Sequence, residues 1–304
     1  MKGKILISIV GPTAIGKTNL AITLAKYLDT EIISADSRQF FKEMSIGTAV
    51  PTPEELKAVP HHFIQHKSIH EDYSVGDFER EAVKKLDLIL KDRRYALMVG
   101  GSGLYVDAVT TGLDDFPEVD PGIRNDLNKT LEQQGITALQ EQLRALDADY
   151  YGKVDLDNPR RLIRALEICL GTGTPYSYFL NKEKKSRNYD TITLGLQADR
   201  KIIYDRIDRR VDLMIHNGLL EEVKALQPYK SLNALQTVGY RELFRFLEGE
   251  YDLDRAISEI KKNTRRFAKR QLTWLRKKEG IIWIDYQYDP KEVINKMEQV
   301  IASI

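Results

Sequence analysis

Cysteine is almost absent from this chain of 304 residues, which contains only Cys169. A single cysteine excludes a disulfide framework within the chain, and it excludes a zinc module built from several cysteines. The sequence also lacks any apolar run near the roughly 20 residues that span a bilayer, and no signal-peptide pattern follows Met1. We therefore expect a cytoplasmic protein that has no membrane partner.

Net charge is nearly absent as well. The 46 Lys and Arg residues balance 45 Asp and Glu residues and leave a formal charge of +1. The total therefore neither favours nor excludes a nucleic-acid partner, and only the distribution of charge along the chain is informative. Hydrophobic residues make up 42% of the chain, which is enough for a sizeable buried core.

Short β-branched segments alternate with helical patterns along much of the chain. Three early segments have the composition of buried strands: Lys4–Val10, Glu31–Ser34 and Tyr95–Val99. The same composition returns at Thr191–Leu196 and Ile281–Asp285. Strands that alternate with helices predict an α/β fold, in which helices flank both faces of a parallel sheet.

One long segment has a different character. Between about residues 113 and 185 the sequence shows polar helical patterns and turn signals but no convincing strand. Within it, Asn158 and Pro159 are typical of a helix N-terminus, with a capping side chain before a proline at the first helical position. We therefore predict an inserted all-helical module at 113–185, within a catalytic core formed by residues 1–112 and 186–304.

A glycine-rich motif of the form GxxxxGK[ST] follows the first predicted strand and precedes a helix. It consists of Gly11, Pro12, Thr13, Ala14, Ile15, Gly16, Lys17 and Thr18. In this context the backbone N–H groups point at phosphate oxygens, and the helix N-terminus adds partial positive charge. Lys17 reaches further oxygens, and Thr18 offers its hydroxyl to Mg²⁺. The motif predicts a P-loop NTPase-like core with a phosphate site.

The P-loop alone does not define the reaction. A nucleotide kinase or NTPase usually has a strand that ends in an aspartate for the metal, whereas the third predicted strand runs into Gly100 and Gly101. The nearest carboxylate at the end of a strand is Asp36. At the carboxyl edge of a parallel sheet it would face the group attached to the phosphates, or it would instead cap the following helix.

The segment from Ile260 to Lys278 is strongly basic, because nine of its nineteen residues are Lys or Arg and none is acidic. Helical spacing gathers these charges on one broad face. A solvated surface explains many such runs, but neighbouring cations without acids repel one another, so we favour a polyanion as partner. A second basic cluster, formed by Arg160, Arg161 and Arg164, lies in the predicted module.

Together these segments resemble the tRNA dimethylallyltransferase (tRNA isopentenyltransferase) family of the bacterial type. The matching segments, in the family's order, are GPTAIGKT, ADSRQFFKEMSIGTAVPT, VPHHFI, GGSGLY, DNPRRLIRALE, QTVGYRE and TRRFAKRQLTWLR. They cover nearly the whole chain, from Gly3 to about Asp285. The GKT sequence is shared with many NTPases, whereas the combination is specific to this family.

The resemblance implies transfer of a dimethylallyl group from dimethylallyl diphosphate to N6 of the adenosine that follows the anticodon of tRNA. The P-loop would then hold the diphosphate of the donor, with Mg²⁺ at Thr18. By the same resemblance, the catalytic residues are Asp36 as general base, Thr13 beside it, and Arg210, which attends the diphosphate together with Lys17.

The resemblance also implies a set of positions that contact the anticodon stem-loop. These positions are Asp36, Ser37, Arg38, Gln39, Ser102, Arg124, Arg160, Arg161, Leu162, Ile163, Arg164, Thr237, Gly239, Tyr240, Arg241, Lys269, Arg270, Gln271, Trp274 and Arg276. Two positions depart from the family's pattern. Ser102 stands where Thr is common and keeps the hydroxyl, whereas Val50 replaces a frequent Lys and removes one charge.

Two other functions remain open from the sequence. A small-molecule or nucleotide kinase shares the P-loop and the sheet, and it predicts ATP turnover. A non-catalytic RNA-binding protein that senses a nucleotide would explain the basic segment but would not need Asp36 beside the phosphates. Nothing in the sequence requires more than a monomer.

Overall fold

The computed structural model of this protein describes residues 3–180 and 186–303. The chain divides into two compact units. The first comprises the described residues up to Thr111 together with those from Arg187 onward, and the second comprises those between Gly112 and Ser186. In the described part of the chain, no helix is long and apolar enough to cross a membrane.

The strands of the first unit form one parallel sheet. They are β1 (Ile5–Val10), β2 (Ile32–Ser34), β3 (His61–His62), β4 (Tyr95–Gly100), β5 (Asp190–Gln197) and β6 (Ile281–Asp285). Their order across the sheet is β3-β2-β4-β1-β5-β6, and every neighbouring pair is parallel. The predicted parallel α/β sheet is confirmed, although the two-residue strand β3 was not anticipated from the sequence.

Thirteen α-helices connect and flank these strands in the ranges that the structure describes. They are α1 (Lys17–Tyr27), α2 (Pro53–Ala58), α3 (Val75–Asp92), α4 (Gly103–Thr110), α5 (Pro121–Gln134), α6 (Ile136–Leu146), α7 (Ala148–Tyr151), α8 (Pro159–Thr172), α9 (Arg200–His216), α10 (Leu219–Leu226), α11 (Tyr240–Leu247), α12 (Leu253–Leu275) and α13 (Pro290–Ser303). Short 3-10 helices occur at Tyr176–Phe179, Gln227–Tyr229 and Asn233–Leu235.

Strand β1 lies at the centre of the sheet and is buried along its whole length. Because successive side chains of a strand point to opposite faces, Ile7 and Ile9 pack with α1, α9 and α13 on one side. Leu6 and Val10 pack with α3 and α4 on the other side. Each such side chain stabilises the fold by roughly 1.5–3 kcal/mol, which explains the nearly continuous apolar sequence of this strand.

The functional end of the sheet is the carboxyl edge of β2, β4 and β1. The P-loop leaves β1 there, and the segments after β2 and β4 meet beside it. A Cβ atom on Gly100 would lie 2.6 Å from the carbonyl oxygen of Ala35, so only glycine permits this approach. The close contact brings Asp36, the residue after Ala35, to the same edge as the P-loop.

A helical layer made of α9, α10, α11 and α12 extends this end of the first unit. Its core contains Val211, Leu219, Leu243 and Ile260, and it also includes Met44 from the segment after β2. The long helix α12 reaches from this layer to the sheet, where Ala268 is completely buried. Side chains of both α9 and α12 contact the P-loop.

The second unit consists of α5–α8 around a core of its own. Leu127, Leu139 and Leu143 pack against residues of α8, and the described residues of this unit contain no strand. The side chain of Asn158 caps α8 by accepting a hydrogen bond from the backbone N–H of Arg161, and Pro159 opens the helix. The helix start predicted at these two residues is therefore confirmed.

Candidate active site

The P-loop has a backbone that only small residues can adopt at its turning points. Gly16 has a φ angle of 107° and directly precedes α1, whose first residues are Lys17 and Thr18. Ala14 also has a positive φ angle, of 64°. No side chain caps the N-terminus of α1. Its free N–H groups and the helix dipole are therefore available to an anion.

Lys17 is partly buried at the base of this loop. Its Nζ donates hydrogen bonds to the carbonyl oxygens of Gly11, at 3.0 Å, and Pro12, at 2.9 Å. Burial lowers the pKa of Lys17 from 10.5 to about 8; Asp36 opposes this shift, whereas Arg210 adds to it. The ammonium group thus lacks a full counter-charge, and a bound anion would stabilise it.

A cavity of about 460 Å³, here called the phosphate cavity, opens in front of the P-loop. It is lined by Thr13, Ala14, Gly16, Lys17, Thr18, Asn19, Ser34, Asp36, Gln39, Thr48, Ala49, Glu55, Val99, Gly100, Arg206, Arg209 and Arg210. Helix α9 supplies its three arginines, and Arg206 also donates to the carbonyl oxygen of Ala14 at 2.7 Å. Positive charge from the P-loop and from α9 converges on this space.

The burial of Arg210 resembles that of Lys17. Burial is the main cause that lowers the pKa of Arg210, while Asp36 and Glu55 raise it and Arg206 lowers it further. A guanidinium group retains its charge in proteins. An anion bound in the phosphate cavity would therefore stabilise the Arg210 side chain as well. The structure therefore brings two incompletely neutralised cations to one site.

A second, largely apolar cavity of about 90 Å³ adjoins the first and is here called the inner cavity. The lining residues that the two cavities share are Thr13, Ala14, Lys17, Asp36, Thr48, Ala49 and Arg210. The apolar residues of the inner cavity are Ile207, Val211, Met214, Leu219, Val238, Ile260 and Phe267. A ligand with a hydrocarbon group joined to a phosphate would match both spaces at once.

Asp36 lines both cavities, which is the position that the end of β2 predicts. Its Oδ1 also accepts a weak hydrogen bond, at 3.2 Å, from the backbone N–H of Arg38. A turn and not a helix follows Asp36, so the alternative role of Asp36 as a helix cap is wrong, and its carboxylate faces the cavities. Arg38 is itself largely buried, and its pKa is lowered by burial while Asp36 raises it.

Several positions predicted to contact tRNA surround the mouth of these cavities. The backbone N–H of Ser37 donates to the Ser102 hydroxyl at 3.3 Å, and their two hydroxyls lie 3.2 Å apart. Gln39 instead donates its Nε2 to the carbonyl oxygen of Ala49 at 2.9 Å, so it holds the cavity wall. Thr237 is buried, and Thr237 and Gly239 both line the inner cavity.

Three further positions in that set are engaged inside the protein. Gln271 is 7% exposed; it accepts from the backbone N–H of Thr13 at 2.9 Å and donates to the carbonyl oxygen of Gly101 at 2.8 Å. Tyr240 is completely buried. Trp274 is partly buried and donates its Nε1 to Asp107 at 3.0 Å. The side chain of Gln271 thus holds the P-loop against the segment after β4, which is a structural role.

The basic face of α12 is only partly available to a partner. Lys261 and Arg265 form ion pairs of 2.6 Å with Asp212 and Asp208 of α9. The acids that the segment itself lacks are therefore supplied to these two positions by the neighbouring helix. Exposed cations remain at Arg266, Lys269, Arg270 and Arg276. Arg38 and Arg270 lie near the ring of Phe267, with guanidinium carbons 5.5 Å and 5.7 Å from its centroid.

In the second unit, the structure separates the predicted tRNA contacts into two groups. Arg160 and Arg161 are exposed. Arg124 and Arg164 converge on the buried carboxylate of Glu167, at 2.6 Å and 3.0 Å. The prediction is wrong for the side chains of Leu162 and Ile163, which are 0% and 6% exposed. Both lie in the hydrophobic core of this unit, because they face inward from α8.

Glu222 is a functional candidate that the sequence did not reveal. Its carboxylate accepts hydrogen bonds of 2.8–3.0 Å from the consecutive backbone N–H groups of Ser45, Ile46 and Gly47. It also accepts one of 2.6 Å from the Tyr240 hydroxyl. Glu222 thus fixes the loop at residues 45–47, which continues into Thr48 and Ala49 of the phosphate cavity. In the sequence this glutamate resembles any charged residue of an amphipathic helix, so no local pattern marks it.

Comparisons with known proteins bear on this site. A family model described as IPP transferase matches residues 39–278. The chain is 61% identical over 296 residues to a tRNA dimethylallyltransferase of Christiangramia forsetii, with 97% of this chain and 98% of that protein covered. It is 57% identical over 295 residues to a tRNA dimethylallyltransferase of Flavobacterium psychrophilum, which covers 95% of this chain and 96% of that protein.

Solved structures give the same result. A full-length tRNA isopentenylpyrophosphate transferase from Bacillus halodurans is 39% identical with a TM-score of 0.71, covering 100% of this chain and 96% of that one. A eukaryotic dimethylallyltransferase described as acting on tRNA is 27% identical with a TM-score of 0.85, covering 99% and 80%. These matches confirm the family predicted from the motifs: the chain belongs to the IPP transferase family, together with the tRNA dimethylallyltransferases that it resembles along nearly its full length.

Proposed function

We propose that this protein transfers a dimethylallyl group from dimethylallyl diphosphate to N6 of the adenosine that follows the anticodon of tRNA, and releases diphosphate. The observation that carries this proposal is the junction of the phosphate cavity and the inner cavity at Lys17, Asp36 and Arg210. An anionic leaving group and a hydrocarbon group have adjoining sites there, and a carboxylate lies at the point where they meet.

The cations of the phosphate cavity would stabilise the departing diphosphate. As the bond between C1 of the donor and the diphosphate oxygen breaks, negative charge accumulates on the leaving group. Lys17, Arg206 and Arg210 are already positioned around this space, together with the N–H groups at the start of α1. Groups that are fixed before the reaction stabilise developing charge without the cost of reorganisation.

The phosphate cavity also has the features that a magnesium site of this type requires. Mg²⁺ retains several waters and commonly takes one or two protein oxygens together with substrate phosphates. Thr18 lines the cavity and would supply such an oxygen. Among the described residues there is no cluster of three metal-ligating side chains. The bound metal would therefore depend on the donor, and it would supply charge neutralisation of the diphosphate.

Asp36 would act as the general base. The exocyclic amine of adenine is a weak nucleophile, because its lone pair is delocalised into the ring. The new bond joins N6 to C1 of the donor, and the amine proton passes to the Asp36 carboxylate. Thr13 lines both cavities beside Asp36 and has a hydroxyl that would orient the amine. The arrangement accounts for a carboxylate at a site otherwise dominated by cations.

Each of the two units has exposed cations that would bind the tRNA backbone. Lys269, Arg270 and Arg276 on and just after α12, and Arg160 and Arg161 of the second unit, offer phosphate contacts without acidic partners among the described residues. The target base has to leave its stack to enter a cavity, and unstacking costs less in a single-stranded anticodon loop. We therefore propose that the inserted helical unit binds tRNA through Arg160 and Arg161, together with the exposed end of α12 in the first unit.

The cellular setting follows from the same features. A tRNA-modifying enzyme with one buried cysteine suits the reducing cytoplasm, where its substrate is found. The P-loop, Asp36 and Arg210, which the proposed reaction requires, are all present in this one chain. We therefore propose that a cytoplasmic monomer is sufficient for the reaction.

A substrate pair that differs at one atom tests the proposal. An anticodon stem-loop is incubated with Mg²⁺ and donor labelled in its dimethylallyl group, and a second stem-loop carries inosine in place of the target adenosine. We expect label in the first RNA and none in the second, because inosine has no exocyclic amine. Equal labelling of both RNAs, or labelling of neither, would contradict transfer to N6. A small-molecule kinase would instead turn over ATP without labelling RNA.

A further inference from the structure

A third cavity lies beside the donor site. Most of its lining residues line neither of the other two cavities, and the proposed reaction uses none of those residues. It has a volume of about 460 Å³ and is bounded by α9 and by the segment from Ser45 to Leu56. We call it the outer cavity. The hydrocarbon side chains that line it are Ile46, Val50, Pro51, Pro53, Leu56 and Leu213. Val50 adds to the apolar character of this space.

A thin partition separates the outer cavity from the inner cavity. Ala49, Arg210 and Met214 line both spaces, so their side chains form the wall between them. Arg210 and Met214 lie four residues apart on α9 and therefore occupy the same face of that helix. Ala49 faces them from the loop after β2 and has a φ angle of 51°.

Met214 is the residue of this wall that the prenyl group of the donor would contact. Arg210 also lines the phosphate cavity, where its charge has a role in binding the diphosphate. Met214 packs against the apolar layer of α9–α12, which restrains a side chain that is otherwise flexible. Met214 lines the inner cavity of about 90 Å³, and it also lines the mainly apolar outer cavity of about 460 Å³.

We propose that Met214 restricts the prenyl donor to five carbons, and that the outer cavity is a latent site for the second isoprene unit of a ten-carbon donor. This inference rests on the proposed function and concerns only the length of the transferred group. The bonds that change are the same for both donors: C1 leaves the diphosphate oxygen and joins N6, and the amine proton passes to Asp36. No additional reactant is needed.

Shortening Met214 should therefore extend the donor range. In Met214→Ala the inner and outer cavities would become continuous, and the distal carbons of geranyl diphosphate would enter apolar space. One methylene in an apolar pocket changes specificity about 10–200-fold, so removing a wall that excludes five carbons should raise kcat/KM for geranyl relative to dimethylallyl diphosphate by at least about tenfold. Transfer of the five-carbon group by the same variant is the reference against which the ten-carbon transfer is measured.

The experiment compares both donors with one tRNA and four variants. Met214→Leu keeps the volume of the wall and should keep the preference of the wild-type protein. Leu213→Ala removes an exposed neighbour on α9 that lines only the outer cavity, and it should not admit the longer donor. Ala49→Gly thins the wall from the opposite side, and glycine suits the positive φ angle there, so it provides an independent opening if Met214→Ala folds poorly.

The expected result is an adenosine that carries a ten-carbon group in Met214→Ala or Ala49→Gly, and in neither control. The inference is overturned if these two variants transfer the dimethylallyl group but give no ten-carbon product, or if Leu213→Ala gives it equally well. A wild-type protein that transfers no dimethylallyl group would instead refute the proposed function, so the two failures are distinguishable.

Discussion

Raising the pH from about 7 to about 9 should weaken donor binding roughly tenfold, because Lys17 loses its charge over this range. Its pKa in the free protein is lowered to about 8, mainly by burial. About nine-tenths of the Lys17 side chains are therefore charged at pH 7 and about one-tenth at pH 9. A bound diphosphate favours the charged form of Lys17 and raises the pKa of this residue. The affinity for the donor is therefore highest well below pH 8, and it declines as the pH rises through that value.

Calorimetry can measure both the affinity and the proton that accompanies it. Dimethylallyl diphosphate is titrated into the protein with Mg²⁺ and without tRNA, so that no transfer occurs. A phosphate monoester loses its last proton near pH 6, so the donor itself contributes little above pH 7. Titrations in two buffers of different ionisation enthalpy should show uptake of about half a proton at pH 8 and nearly one at pH 9.

A matched variant separates Lys17 from other sources of pH dependence. In Lys17→Arg the guanidinium stays charged throughout this range, so binding should lose most of its pH dependence even where its absolute affinity is lower. The reasoning is refuted if the wild-type protein binds donor equally well at pH 7 and pH 9 with no proton uptake. It is also refuted if Lys17→Arg keeps the full pH dependence.

Substitutions at three other parts of the site test the remaining predictions. Asp36→Ala should lower single-turnover transfer roughly 10²–10⁴-fold while tRNA affinity stays unchanged, and normal turnover would remove Asp36 from the mechanism. Replacing Lys269 and Arg270 with Ala should weaken tRNA binding and reduce the slope of log K against log salt by about 1–2; an unchanged slope would exclude phosphate contacts there. Glu222→Gln should destabilise the protein in urea by about 2 kcal/mol and raise the KM for donor, whereas Tyr240→Phe, which removes one hydrogen bond, should do less. Equal effects of these last two variants would show that Glu222 does not act through the loop.

The parallel sheet and its phosphate site could be predicted because their signals are local. Burial on both faces gives β1 an almost continuous apolar sequence, and the turn into α1 requires glycine at a position with positive φ. The nearness of Asp36 to Lys17 also followed from the sequence. Parallel strands end at one edge of a sheet, so a residue that follows β2 is brought close to the loop that follows β1.

The contacts that the sequence did not reveal join distant segments. Gln271 meets Thr13 across 258 positions, and nothing in a run of cations marks one amide as a structural contact. Asp208 and Asp212 neutralise part of α12, but their pairing depends on how two helices pack. Leu162 lies inside a motif rich in arginine, where a helical period of 3.6 turns it toward the core while Arg160 and Arg161 face outward.

Mass spectrometry of tRNA nucleosides after reaction tests the central claim most directly. Unmodified tRNA is incubated with the protein, dimethylallyl diphosphate and Mg²⁺, with ATP present in a parallel reaction, and is then digested to nucleosides. We expect that an adenosine from the anticodon loop gains one dimethylallyl group and that ATP is not consumed. Unmodified adenosine across several tRNAs, together with ATP turnover, would contradict the account and favour a kinase.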